Sequence, residues 1–130
     1  MCDLVAATNV EEVVNFGWSC SPDGIPVDDT CTWSDVYCDS SGNMIQISLA
    51  DLKLTGTIPS SIGVLSSLNS LNFHSNALSG SIPSTMGRLT ALNQVNLKNN
   101  RVTGTLPNEL GSLLQLTILD LRNNIIEGTI

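Results

Sequence analysis

The stretch Leu68-Asn69-Ser70-Leu71-Asn72-Phe73-His74-Ser75-Asn76-Ala77-Leu78-Ser79-Gly80-Ser81-Ile82-Pro83, followed by Met86, Gly87 and Leu89, is one unit of a pattern that recurs every 24 residues. Units begin at Met44, Leu68, Leu92 and Leu116, and their apolar columns repeat with conservative variation. One column holds Ile47, Leu71, Val95 and Leu119, the next Leu49, Phe73, Leu97 and Leu121. Two more hold Leu54, Leu78, Val102 and Ile126, then Ile58, Ile82, Leu106 and Ile130. A short fixed period of this kind is the mark of a solenoid, because one unit cannot bury its apolar side alone and stacking on its neighbours supplies the core.

Within the unit, the alternation around Leu71-Asn72-Phe73 is a period-two strand signal. It points Leu71 and Phe73 inward and Ser70, Asn72 and His74 outward. Asn76, Asn100 and Asn124 share a column where the chain leaves the strand, and an inward amide there can satisfy stranded backbone groups. Leu52 interrupts that column in the first unit. The return path is set by Gly56, Gly80, Gly104 and Gly128, and by Pro59, Pro83 and Pro107.

Composition narrows the function classes. The chain has 130 residues, 42% hydrophobic and 13% charged, enough for one domain with a continuous core. Residues 1 to 52 carry nine acidic side chains and no Lys or Arg, whereas residues 53 to 130 carry five basic and three acidic ones, for a net charge of −7. An acidic chain without a basic stripe or an aromatic stacking platform repels phosphate backbones, which argues against a nucleic-acid partner. No apolar run approaches the ~18 residues of a membrane span. The opening Met1-Cys2-Asp3-Leu4 has neither the basic stretch nor the apolar region of a secretory signal, and no Asn-x-Ser/Thr acceptor is present.

Cys2, Cys20, Cys31 and Cys38 all lie in the first third of the chain. An even, clustered count reads as two disulfides in an oxidising compartment. Zinc would need close Cys pairs or a nearby imidazole, and the sole histidine, His74, is far along the chain. Spacing alone leaves three pairings open.

The Leu54-Thr55-Gly56-Thr57-Ile58-Pro59 element is similar to the plant-specific class of leucine-rich repeats. The resemblance covers residues 44 to 130 as four repeats, the last incomplete. It implies an α/β solenoid wound as a right-handed superhelix, with a parallel concave sheet and a second, shorter sheet along the Thr-Gly-Thr side. Residues 1 to 43 then take the place of the family's disulfide-bonded N-terminal cap. Cys31-Thr32-Trp33-Ser34-Asp35-Val36-Tyr37-Cys38 resembles the cap signature Cys-x-Trp-x-Gly-Val-x-Cys, with Asp35 where the family has glycine. Caps of this kind imply Cys31 bonded to Cys38, and we expect Cys2 bonded to Cys20, the alternative being Cys2 with Cys31 and Cys20 with Cys38. Val10 to Phe16 reads as a short amphipathic helix laid on the first coil.

Ingredients for catalysis are sparse, since His74 has no cysteine or confining pocket implied beside it. The acids Asp23, Asp28, Asp29, Asp35 and Asp39 do not fit calcium-loop spacing and read as a solvated face. No cofactor or metal is expected. The repeat does place outward side chains in rows: Gln46, Ser70, Gln94 and Ile118; then Ser48, Asn72, Asn96 and Asp120; then Ala50, His74, Lys98 and Arg122. The expectation is therefore a non-catalytic module at the cell surface or outside the cell. It would bind a protein, peptide or glycan through Gln46, Ser48, Ser70, Asn72, His74, Gln94, Asn96, Lys98, Asp120 and Arg122, as the resemblance to receptor-kinase ectodomains and polygalacturonase-inhibiting proteins implies. The alternative is adsorption to an ordered surface, ice or a polysaccharide, through the hydroxyl columns Thr55, Ser79, Thr103 and Thr57, Ser81, Thr105, Thr129. Because the fourth coil stops at Ile130 before its return segment, further repeats or a partner are expected against its apolar layer.

Overall fold

Each coil of the computed structural model, which describes residues 30–128, runs from an inward-outward strand through a sharp turn and a 3₁₀ return segment. The strands are β1 (Val36–Cys38), β2 (Met44–Ser48), β3 (Ser70–Asn72), β4 (Gln94–Asn96), β5 (Thr103–Gly104), β6 (Ile118–Asp120) and β7 (Ile125–Ile126). The return turns span Ser60–Val64, Ser84–Arg88 and Asn108–Ser112, each preceded by an extended proline. Proline suits that position because its missing N–H is one that a helix start leaves unpaired.

A five-stranded sheet runs β1-β2-β3-β4-β6, with β1 antiparallel to β2 and every later pair parallel. Its register is the 24-residue period: Gln46 opposite Ser70, Ser70 opposite Gln94, and Gln94 opposite Ile118. The strands are short because the chain enters the left-handed region at Asp51, Ser75, Asn99 and Asn123, with φ between 56° and 58°. Asn and Asp tolerate that conformation better than other side chains, so this column ends each strand without needing glycine.

The inward columns form one core. Ile47, Leu49, Leu54, Leu68, Leu71, Phe73, Leu78, Leu89, Leu92 and Leu97 are fully buried, and Trp33 and Val36 extend the cluster into the segment before the first repeat. Cys31 and Cys38 are bonded, which closes that segment across a separation of 7 residues. The expected Cys2–Cys20 bond and the Val10 to Phe16 helix lie outside the described residues.

The asparagine column satisfies the turn from within. Asn76 accepts from the N–H groups of Leu52 and Leu54 at 3.0 Å and donates to the carbonyls of Leu49 and Phe73 at 2.7 and 2.9 Å. Asn100 and Asn124 repeat the arrangement one and two coils later. Leu52 interrupts the column where the next coil's Asn76 already takes up its N–H.

A second sheet does form on the Thr-Gly-Thr side, from β5 and β7 with bridges Thr57 to Ser79 and Ser81 to Thr103. Its register corrects the hydroxyl columns read from the sequence. Partners are 22 residues apart, so each coil slips by two residues and Thr57 faces Ser79 instead of Ser81. Continuing at that offset, Ser81 and Thr103 meet Ile125. The hydroxyls are thus sheared into pairs, not stacked in long straight rows.

Candidate functional site

The outward rows of the five-stranded sheet are brought into the register that the sequence implies. Coil-to-coil hydrogen bonds continue past the strands, from Asp51 N–H to His74 O, Ser75 N–H to Lys98 O and Asn99 N–H to Arg122 O, at 2.8 to 3.0 Å. The third row, Ala50, His74, Lys98 and Arg122, is therefore held as firmly as the first two. Adjacent coils lie about 4.8 Å apart, the spacing of paired strands.

The middle row is partly committed to its own backbone. Asn72, Asn96 and Asp120 each accept from the N–H two residues on, at His74, Lys98 and Arg122, over 3.2 to 3.4 Å. This recurrent turn leaves the amide N–H₂ groups as outward donors, and that of Asn72 reaches Ser48 Oγ at 3.5 Å.

The basic row is less uniform than its composition suggests. Arg122 grips Asp120 in a two-pronged ion pair, Nε to Oδ1 at 2.9 Å and Nη2 to Oδ2 at 2.7 Å. The Arg122 hydrogen bond, reinforced by its charge and that of Lys98, holds the Asp120 carboxyl down at about 2. Lys98 is half-buried and makes no ion pair among the described residues. His74 Nδ1 lies 3.0 Å from Ser75 Oγ, a neighbour along the chain, and among the described residues no carboxylate is hydrogen-bonded to its ring. Open depressions of about 230 and 240 Å³ lie elsewhere, against Gly42 to Met44 with Val64 to Ser67, and between the Ser84–Arg88 and Asn108–Ser112 turns.

Sequence reasoning missed two features of this face. The left-handed column Ser75, Asn99, Asn123 forms a side-chain ladder along its rim, with Asn123 Nδ2 donating to Asn99 Oδ1 at 2.6 Å. The recurrence of Asn at that column was the available signal. The Arg122–Asp120 pair, two residues apart on one strand end, was equally visible as an acid followed by a base on the same outward face.

A solenoid with a parallel sheet in 24-residue register, inward leucines and an asparagine ladder defines the leucine-rich-repeat fold. The Leucine Rich Repeat family model matches residues 67–89 and 91–113. The chain carries leucine-rich repeats, and the proteins it is similar to include plant receptor kinases. MDIS1-interacting receptor like kinase 1 of Arabidopsis thaliana is 48% identical over 48 residues, which is 37% of this chain and 5% of that protein. Receptor protein kinase WSS1 of Oryza sativa subsp. japonica is 33% identical over 75 residues, 56% of this chain and 8% of that protein. The chain thus spans less than a tenth of the length of these relatives. Among solved structures it resembles the BIR3–SERK2 complex from Arabidopsis thaliana, with TM-score 0.81 and 28% identity over 96% of this chain and 68% of that one. It also resembles the plant peptide hormone receptor RGFR1 in complex with RGF2, with TM-score 0.69 and 33% identity over 77% of this chain and 19% of that one. A plant ice-binding protein matches with TM-score 0.74 and 28% identity, over 96% of this chain and 40% of that one.

Proposed function

We propose that the chain is a non-catalytic recognition module of an extracellular or cell-surface protein, and that it binds a peptide or protein through its concave face. The observation that carries this reading is the in-register array of half-buried polar side chains from Gln46 to Lys98, held on a rigid sheet with amide donors turned outward. Rigid presentation keeps the ordering cost of binding low. Likeness to a peptide hormone receptor supports the choice of ligand class. The kinase relatives match over a small share of their length, so no catalytic role is carried across to this chain.

Adsorption to ice is the second reading, favoured by the likeness to a plant ice-binding protein. The two-residue slip of the Thr-Gly-Thr sheet weighs against it, because a lattice-matching surface needs hydroxyls at constant spacing and Ile125 interrupts the progression.

The test compares three proteins: the parent, a Ser70→Arg/Gln94→Arg variant on the concave face, and Ser81→Arg on the hydroxyl side. Peptides selected from a random displayed library on the parent should lose binding to the concave variant and keep it on Ser81→Arg. Thermal hysteresis that disappears with Ser81→Arg would instead establish the ice reading.

A further inference from the structure

Ile118 is the one large apolar side chain among the twelve outward positions of the three concave rows. It occupies the column that Gln46, Ser70 and Gln94 fill in the earlier coils, and it is 49% exposed. Its neighbour Leu119 is 39% exposed for a different reason. Leu119 belongs to the inward column of Ile47, Leu71 and Val95, where one more layer of the stack would cover it. Ile118 points outward with the rows, so stacking does not account for an isoleucine there. A polar residue fills that position in three other coils, so Ile118 puts an apolar contact point on an otherwise polar face.

Lys98 supplies the second element. Arg122 satisfies the Asp120 carboxylate with two hydrogen bonds, and the half-buried Lys98 ammonium is left without an ion pair among the described residues. Gln94 lies directly opposite Ile118, and Lys98 is four residues further along that coil. At the rise of a strand and the spacing of paired strands, Ile118 and Lys98 are roughly 14 Å apart on the face. An extended peptide covers that distance in about four residues.

We propose that the concave face takes an extended peptide segment with an apolar side chain on Ile118 and a carboxylate, about four residues away, on Lys98. This rests on the concave face being the binding face. It goes further by naming the ligand chemistry, an acidic–apolar segment, and by assigning Gln94, Asn72 and Asn96 to the peptide backbone between the two anchors.

A phage-displayed library of random linear peptides, selected on the 130-residue chain, is the probe. Enriched peptides should carry Asp or Glu about three to five positions from Leu, Ile, Val or Phe. A synthetic peptide from that set should bind at least ~10-fold more weakly to Lys98→Gln and to Ile118→Gln, and the Lys98 effect should shrink as added salt screens the charge. Ile118→Gln installs the residue that its column uses in two other coils, so loss of folding does not confound it. Peptides without the acidic–apolar spacing, or indifferent to both substitutions yet sensitive to Ser70→Arg/Gln94→Arg, would overturn this assignment and leave the concave reading standing. Peptides indifferent to all these variants, or no enrichment, would overturn both.

Discussion

Asn100 donates from its side-chain amide to the carbonyl of Phe73, one coil earlier, at 2.9 Å, and so ties two strand exits together at a point shut off from water. The same side chain accepts from Leu78 N–H and donates to Leu97 O. Removing it leaves Leu78 N–H without its acceptor, at a cost on the order of 1 to 3 kcal/mol where water cannot reach it, while the Phe73 and Leu97 carbonyls each keep one bond, from Asn76 and Asn124. Asn100→Ala should therefore destabilise the chain by about 2 kcal/mol in urea denaturation. Asn72→Ala, on the outward face, should cost under ~0.5 kcal/mol. Equal losses for the two would contradict the assignment of inward and outward columns.

Asp35 stands where the cap signature has glycine, and the structure shows why glycine is usual: its φ is 63°. Aspartate adopts that region at some steric cost, which glycine avoids. Asp35→Gly should raise stability or leave it unchanged, by up to about 1 kcal/mol. A clear loss would mean that the Asp35 side chain performs a role beyond its backbone.

Gly87 is required for a different reason. A Cβ there would lie 2.6 Å from the backbone oxygen of Glu109 in the next return turn, whereas a Cβ on Gly111 meets nothing within 4 Å. Gly87→Ala should force the coils apart and lower the midpoint of thermal unfolding, while Gly111→Ala in this chain should be neutral or slightly stabilising through the unfolded state. The same response at both glycines would show that coil contact is not what selects them.

Asp120 gives a pH signature. Its folded pKa, held at about 2 by Arg122, lies below the ordinary 3.8, so its contribution is fully present above 3.8 and disappears as pH falls through about 2. Carboxyl-detected titration should show Arg122→Ala moving the Asp120 midpoint upward, because the guanidinium hydrogen bond is the largest influence holding it down. An unmoved midpoint would remove the ion pair from the description of the face.

The period, the inward columns and the asparagine ladder were legible because each is a side-chain property repeated at constant spacing. Concave registration followed from the same period, as the pairing of Gln46, Ser70, Gln94 and Ile118 shows. Register on the Thr-Gly-Thr side was not legible, since a column in the alignment does not reveal that Thr57 lies opposite Ser79. The pairing of Arg122 with Asp120 was signalled, by contrast, as an acid and a base two residues apart on the same outward face.

The account rests on the concave face being where a ligand is met, and proton–nitrogen correlation spectra of the labelled chain titrated with a library-selected peptide test that most directly. The side-chain amides of Gln94, Asn72 and Asn96 and the backbone amides of Ile118 and Lys98 should shift together and saturate with one affinity. Shifts confined to Ser79, Ser81, Thr103 and Thr105, with the concave amides unmoved, would contradict it.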